Sequence, residues 1–182
     1  ASLAGVSDVH AHAAPDSVER PIDALALARL ARDNGMRAIV IKNHNEPTAA
    51  LAYAVRQSAP GLEVFGAIAL NRAVGGVNPA AVRQMAGMTG GSGKVVWLPT
   101  ADAENQVQFD KADRPFVSVA RNGQVLPDTR EVLQIIAARQ LVLATGHSSP
   151  VESLLIIREA RALGVEHIVV THPLNPSIRM SM

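Results

Sequence analysis

Short apolar runs alternate along this chain with Ala- and Leu-rich stretches of helical period. The runs are "AGVSDVHAH" (residues 4–12), "MRAIVIKNH" (36–44), "LEVFGAIALN" (62–71), "KVVWLPT" (94–100), "QLVLATGH" (140–147) and "EHIVVTHP" (166–173). Rich in β-branched residues and bounded by turn formers, they predict six strands. Between them the helix signals are local and chemical. A helix over 20–34 has Pro21 at its first position and Gly35 past its end. Pro47 opens a second helix, which ends before Pro60–Gly61. Asn78–Pro79 caps a third, running to Met88. Asp128 and Glu131 have capping-box spacing for a helix to Arg139; Ser149, Pro150 and Glu152 repeat that signature before a helix closed by Gly164. One stretch breaks the rhythm. "PFVSVARNGQVLPD" centres on Asn122–Gly123, a hairpin signal, and reads as an excursion inserted after the fourth strand.

Strand–helix–strand units in series dictate a parallel sheet, because each crossover is right-handed. Either an open doubly wound sheet or a (β/α)8 barrel accommodates this order. A nucleotide-binding doubly wound sheet would place a glycine-rich loop after a strand. The only such stretch, "GMTGGSGK", precedes the fourth strand.

Composition narrows the partners. Aromatics make up 3% of the chain and the net charge is +1, so no basic stripe with interleaved aromatics exists to hold nucleic acid. No apolar run is long enough for a bilayer, and Cys is absent, which excludes disulfides and thiolate metal sites. The expectation is a cytoplasmic protein acting on a small molecule, with neither nucleic acid nor membrane as partner. The whole of 1–182 reads as a single domain.

Five of the six histidines fall at the carboxyl ends of predicted strands: His10 and His12 on the first, His44 on the second, His147 on the fifth and His172 on the sixth. In parallel α/β folds those ends share one face, where the chemistry is carried. Residues two apart on a strand point the same way, so His10 and His12 can grip one ion, and Lys42 and His44 stand in the same relation. Neutral imidazoles suit zinc, with manganese or iron as other possibilities. Lys42 ends an apolar strand. It reaches the rim as a cation paired with Asp8 or Glu46, is carboxylated by CO2 to bridge two metals, or serves as a cation beside the substrate. Asp8 is placed to back up a ligand imidazole. Asp16, in the first rim loop, either caps the following helix or lines the pocket, and His44 is a ligand or a substrate-facing group. Lys42, His44 and Asp16 are therefore the candidate catalytic residues. His10, His12, His147, His172 and Lys42 are the candidate metal ligands.

"DVHAH", "TGH" and "THP", in this order along the whole chain, resemble the amidohydrolase superfamily of metal-dependent hydrolases, and most of all a branch with "DxHxHxxPD" followed by "KNH". The resemblance implies a TIM-like (β/α)8 barrel with one or two divalent metals at its rim. His10 and His12 would hold the first metal; His147 and His172 would hold the second or complete a mononuclear site. The family's bridging Lys or Glu lies on the fourth strand, where this chain has "VVWLPT", so the role passes to Lys42. The family's general base is an Asp on the eighth strand. Only six units are present, so the resemblance implies a barrel truncated before its last two, whose exposed edges would favour a homo-oligomer. The implied activity is hydrolysis of an amide, ester or lactone by metal-activated water. Alternatives are a phosphoesterase of the PHP type, a metal-dependent decarboxylase on the same scaffold, and a metal- or ligand-binding relic without turnover.

Overall fold

The computed structural model describes residues 2–180. Its main sheet uses β1 (Ser7–Ala11), β2 (Ala38–Ile41), β3 (Glu63–Ala69), β4 (Gly93–Trp97), β7 (Val142–Ala144) and β8 (His167–Val169), hydrogen-bonded in the order β1-β2-β3-β4-β7-β8. The short hairpin β5 (Ala120–Arg121) and β6 (Gln124–Val125) pairs antiparallel around Asn122–Gly123, as its turn residues dictate. Among the described residues six α-helices accompany the strands: α1 (Ala24–Asp33), α2 (Ala49–Ser58), α3 (Pro79–Ala86), α4 (Glu104–Phe109), α5 (Pro127–Ala138) and α6 (Pro150–Ala162).

The α/β class holds, but the expected TIM barrel is overturned. The sheet has six strands, and no ladder among the described residues joins β8 to β1. Closing a barrel of this kind needs eight tilted strands with matched shear, and six do not supply the circumference.

The chain divides into two compact units, Ala1–Ile68 with Gln84–Val95, and Ala69–Arg83 with Val96–Met182. In the first, α1 buries Ala24, Ala28 and Ala31, one helical stripe, and α2 buries Ala49, Ala52 and Val55. Both pack with Ile39, Ile41, Leu62 and Val64 in one cluster. Small helix residues bring backbones close: a Cβ on Gly66 of β3 would collide with the main chain at Ala49. In the second unit α5 buries Val132, Leu133, Ile135 and Ile136, and α6 buries Ser153, Ile156 and Ala160. The Leu98 amide donates to the Ala144 carbonyl at 2.9 Å, joining the chain after β4 to the end of β7.

The elements differ from expectation at their ends. Ser149 and Glu152 do form a reciprocal capping box on α6, with Pro150 in its first turn. Asp128 does not cap α5: the cap position is Leu126, whose side chain makes no cap bond, and Glu131 reaches Arg83 instead. Helix α1 begins at Ala24 rather than at Pro21, because Asp23 caps it, accepting the Ala26 amide at 2.8 Å. Helix α4 was not expected at all. Among the described residues no helix is long and apolar enough to cross a membrane.

Candidate metal centre

In the first unit the site is built where β1 and β2 end. The pairing Asp8↔Ile39 and Ala11↔Ile41 places one extra residue on β1, a bulge at Val9–His10. Asp8 explains it: its carboxylate accepts the His10 amide at 2.8 Å. Asp8 thus serves the backbone rather than an imidazole. The strand β2 stops at Ile41, so Lys42 and His44 sit on the loop beyond it, although the Lys42 amide still bonds to the Ala11 carbonyl at 2.8 Å.

The bulge turns His10 toward Lys42, whose Nζ lies 3.0 Å from His10 Nε2. The ring centroids of His10 and His12 are 5.3 Å apart, and those of His12 and His44 are 4.9 Å apart and nearly parallel. His10, His12, Lys42 and His44 therefore gather in one place. Lys42 is only 1% exposed. Burial, followed by the Arg20 charge, pulls its ammonium down from 10.5 to about 7. Burial, then Lys42 and Arg20, lowers His12 from 6.5 to about 4, so that ring is neutral at physiological pH.

Asp16 does not reach the histidines by hydrogen bond. It takes Arg20 Nε and Nη2 on one oxygen, both at 2.7 Å. Burial raises its carboxyl, but the Arg20 hydrogen bond and the Val18 amide outweigh this, leaving its pKa below the usual value. Asn43 is buried and its Oδ1 accepts the Asn45 amide, while Asn45 Nδ2 donates to Ser17 Oγ, both at 2.7 Å. These bonds tie the two loops together. Glu46 is exposed and meets Asn43 Nδ2 at 3.4 Å.

The second unit holds its own histidine pair. Rings of His147 and His172 lie 5.7 Å apart, edge to face. Both lie beyond their strands, which end at Ala144 and Val169. Reciprocal bonds from the Gly146 amide to Thr171 Oγ1 and from the Thr171 amide to Thr145 Oγ1 clamp the two loops. Gly146 takes φ +64°, and any Cβ there would strike the carbonyls of Leu98 and Pro99. His172 adopts φ +47°, a conformation a non-glycine residue keeps only when its surroundings impose it. His147 Nδ1 donates to Gln106 Oε1 at 2.9 Å, which assigns the lone pair to Nε2. Nothing in the sequence flagged Gln106, since its helix α4 is a single short turn and a half without apolar period.

Asn71 and Asp102 hold the chain just beyond β3 and β4. Asn71 Oδ1 accepts the amides of Thr100 and Asp102, and Asp102 accepts the Arg72 amide and pairs with Arg114 at 2.6 Å.

Among the described residues no group of three or more His, Cys, Asp or Glu side chains stands arranged to hold a metal ion. The pairs nonetheless suit one. His12 Nδ1 is buried without a hydrogen-bond partner in the protein. An orphaned imidazole nitrogen of a neutral ring is what a cation would engage. Two imidazoles on one tetrahedral zinc at about 2.1 Å put ring centroids roughly 5 Å apart, close to the spacings here.

Fold and site together define a parallel α/β protein with imidazole pairs at the ends of its strands and on the loops that leave them. The chain belongs to a family of unknown function, DUF6282, whose model matches residues 5–182. No curated protein matches the sequence.

Proposed function

We propose that the chain is a metal-dependent hydrolase of the amidohydrolase type, cleaving an amide, ester or lactone. The observation that carries this reading is the gathering of His10, His12 and His44 around buried Lys42, with His12 Nδ1 left unpartnered. His10 and His12, with Lys42, would hold a divalent metal in the first unit, and His147 and His172 would hold one in the second. When bound, such a metal supplies Lewis acidity and lowers the pKa of water toward about 7.

The protein's own groups do the rest. His12, neutral across the physiological range, keeps a lone pair available for a cation. Lys42, close to half-protonated near neutral pH, can hold or release a proton at Nζ beside His10 Nε2. Its neutral amine is also the form that CO2 carboxylates. Gln106 fixes the tautomer of His147. The Ser17–Asn45 bond holds the two loops of the first cluster in register.

Elemental analysis of the purified protein and a turnover screen over lactones, amides, esters and phosphoesters test this. The expected results are stoichiometric zinc, manganese or iron, and metal-dependent hydrolysis of a carbonyl substrate. The His10→Ala/His12→Ala double variant should lose the metal with its circular dichroism kept. Unchanged metal content in that variant would refute the assignment. Turnover confined to phosphoesters would move the protein to the PHP type.

A further inference from the structure

Within the second unit lies a cavity of about 470 Å³ that the hydrolase reading does not use. Its wall combines the first turn of α5, Arg121 of the hairpin, and the apolar side chains of Phe116, Val117 and Leu126. Three features of this wall ask for a ligand. First, α5 opens uncapped: Leu126 stands at the cap position, makes no side-chain cap bond, and is followed by Pro127. The amides of Asp128 and Thr129 have no helical acceptor, and no carbonyl or side chain among the described residues takes them. Second, Thr129 is 0% exposed and lines the cavity, yet its Oγ1 has no hydrogen-bond partner. A hydroxyl shut off from bulk water recovers its lost hydration only from a polar group seated against it. Third, the Arg121 side chain makes no ion pair or hydrogen bond among the described residues. It also borders Glu104 and Glu152, but these already accept from the Ser118 hydroxyl at 2.6 Å and the Ser149 amide at 2.8 Å.

Two amides, a hydroxyl and a guanidinium can all donate, so the ligand they suit is an acceptor, and an anion best of all. The local charge sets its valence. The helix start carries roughly half a positive charge. Arg121 adds one, and the Asp128 carboxylate in the same turn takes one away. That small surplus matches a single negative charge and disfavours a dianion. The rest of the ligand is set by Phe116, 44% exposed at the wall, beside half-buried Val117 and Leu126.

We propose that this cavity binds a small organic carboxylate with an apolar body, its carboxylate on the α5 amides, the Thr129 hydroxyl and Arg121, and its body against Phe116. The site stands apart from the histidine clusters and owes nothing to the hydrolase reading.

The test is isothermal titration of the full chain, treated with chelator, against phenylacetate, its neutral analogue phenylacetamide, acetate and inorganic phosphate. Phenylacetate should bind at least ten-fold more tightly than each of the others and shift the amide NMR signals of Asp128 and Thr129. Arg121→Gln, at an exposed position, should weaken it at least five-fold. Thr129→Val keeps the shape and removes only the orphaned hydroxyl, so it should weaken binding at least five-fold while the urea midpoint stays at or above that of wild type. Should Thr129→Val unfold, Arg121→Gln decides alone. Phenylacetate that fails to bind, binds no better than phenylacetamide or phosphate, or binds Arg121→Gln with unchanged affinity overturns the proposal. So does binding that leaves the Asp128 and Thr129 signals in place. Chelator keeps metal out of the measurement, so the two readings fail separately. Metal-dependent turnover without phenylacetate binding sinks only this inference, and binding here in a protein without metal or turnover sinks only the hydrolase.

Discussion

Lys42 gives the sharpest quantitative test, since a lysine at 1% exposure is held against its own solvation. Lowering its pKa from 10.5 to about 7 costs the folded state roughly 4 kcal/mol at pH 7, at about 1.4 kcal/mol per unit. The sign follows from proton counting. Between pH 7 and 10.5 the unfolded chain binds the proton that the folded chain has largely released, so stability rises with pH across that window. Below pH 7 both states are protonated and the full penalty persists. Lys42→Met keeps most of the apolar stem and removes the amine. It forfeits the bond to His10 Nε2, at about 1 kcal/mol. The variant should therefore be more stable than wild type by about 3 kcal/mol at pH 7, by about 2 at pH 8.5, and by close to nothing at pH 10. Urea denaturation of chelator-treated protein in bicarbonate-free buffer at those three pH values measures this, and excludes both metal and carboxylation from the comparison. A stability difference that stays constant from pH 7 to 10 would sink the argument, because it would mean that Lys42 does not titrate differently on folding. A variant less stable than wild type at pH 7 would show that the amine is better solvated than its burial implies.

Other consequences are open to direct measurement. His12, with its pKa lowered to about 4, should remain neutral in an NMR titration down to about pH 4.5 and contribute a stability loss as pH falls from 6.5 toward 4; a midpoint near 6.5 contradicts the burial argument. Gly146→Ala must accept both a positive φ and a collision with the carbonyls of Leu98 and Pro99, so it should cost about 3 kcal/mol or more in urea denaturation, and a loss below 1 would refute the packing described. Ser149→Ala removes the α6 capping box and should cost about 1 kcal/mol by the same assay; no loss would mean that Pro150 alone sets the helix start.

The legibility of this chain depends on the range of the interaction concerned. Capping at Ser149 and the turn at Asn122–Gly123 involve neighbours in sequence, and both are formed as read. The strand signals lie where strands form but extend beyond the hydrogen-bonded ladders. Apolar runs continue past the last ladder bond, so β2 ends at Ile41 while the buried run continues through Asn43. Helix α4 escaped because six residues with one buried side chain carry no measurable period. The α5 capping box failed because Glu131 is drawn to Arg83, far away in sequence.

The same division runs through the candidate site. Periodicity and turn chemistry, acting over a few residues, are enough to place six strands in an α/β chain and five histidines at strand ends or on the loops beyond them, where they meet in two groups. Everything that sets their chemistry came from partners distant along the polypeptide. Burial presses the Lys42 amine toward neutrality, and Gln106 chooses the His147 tautomer. Whether the sheet closes is a property of all its strands at once, and so it too lay beyond any local pattern. Desolvation and pairing exist only after the chain has folded back on itself, which is why composition and spacing name the groups but not their protonation, partners or orientation.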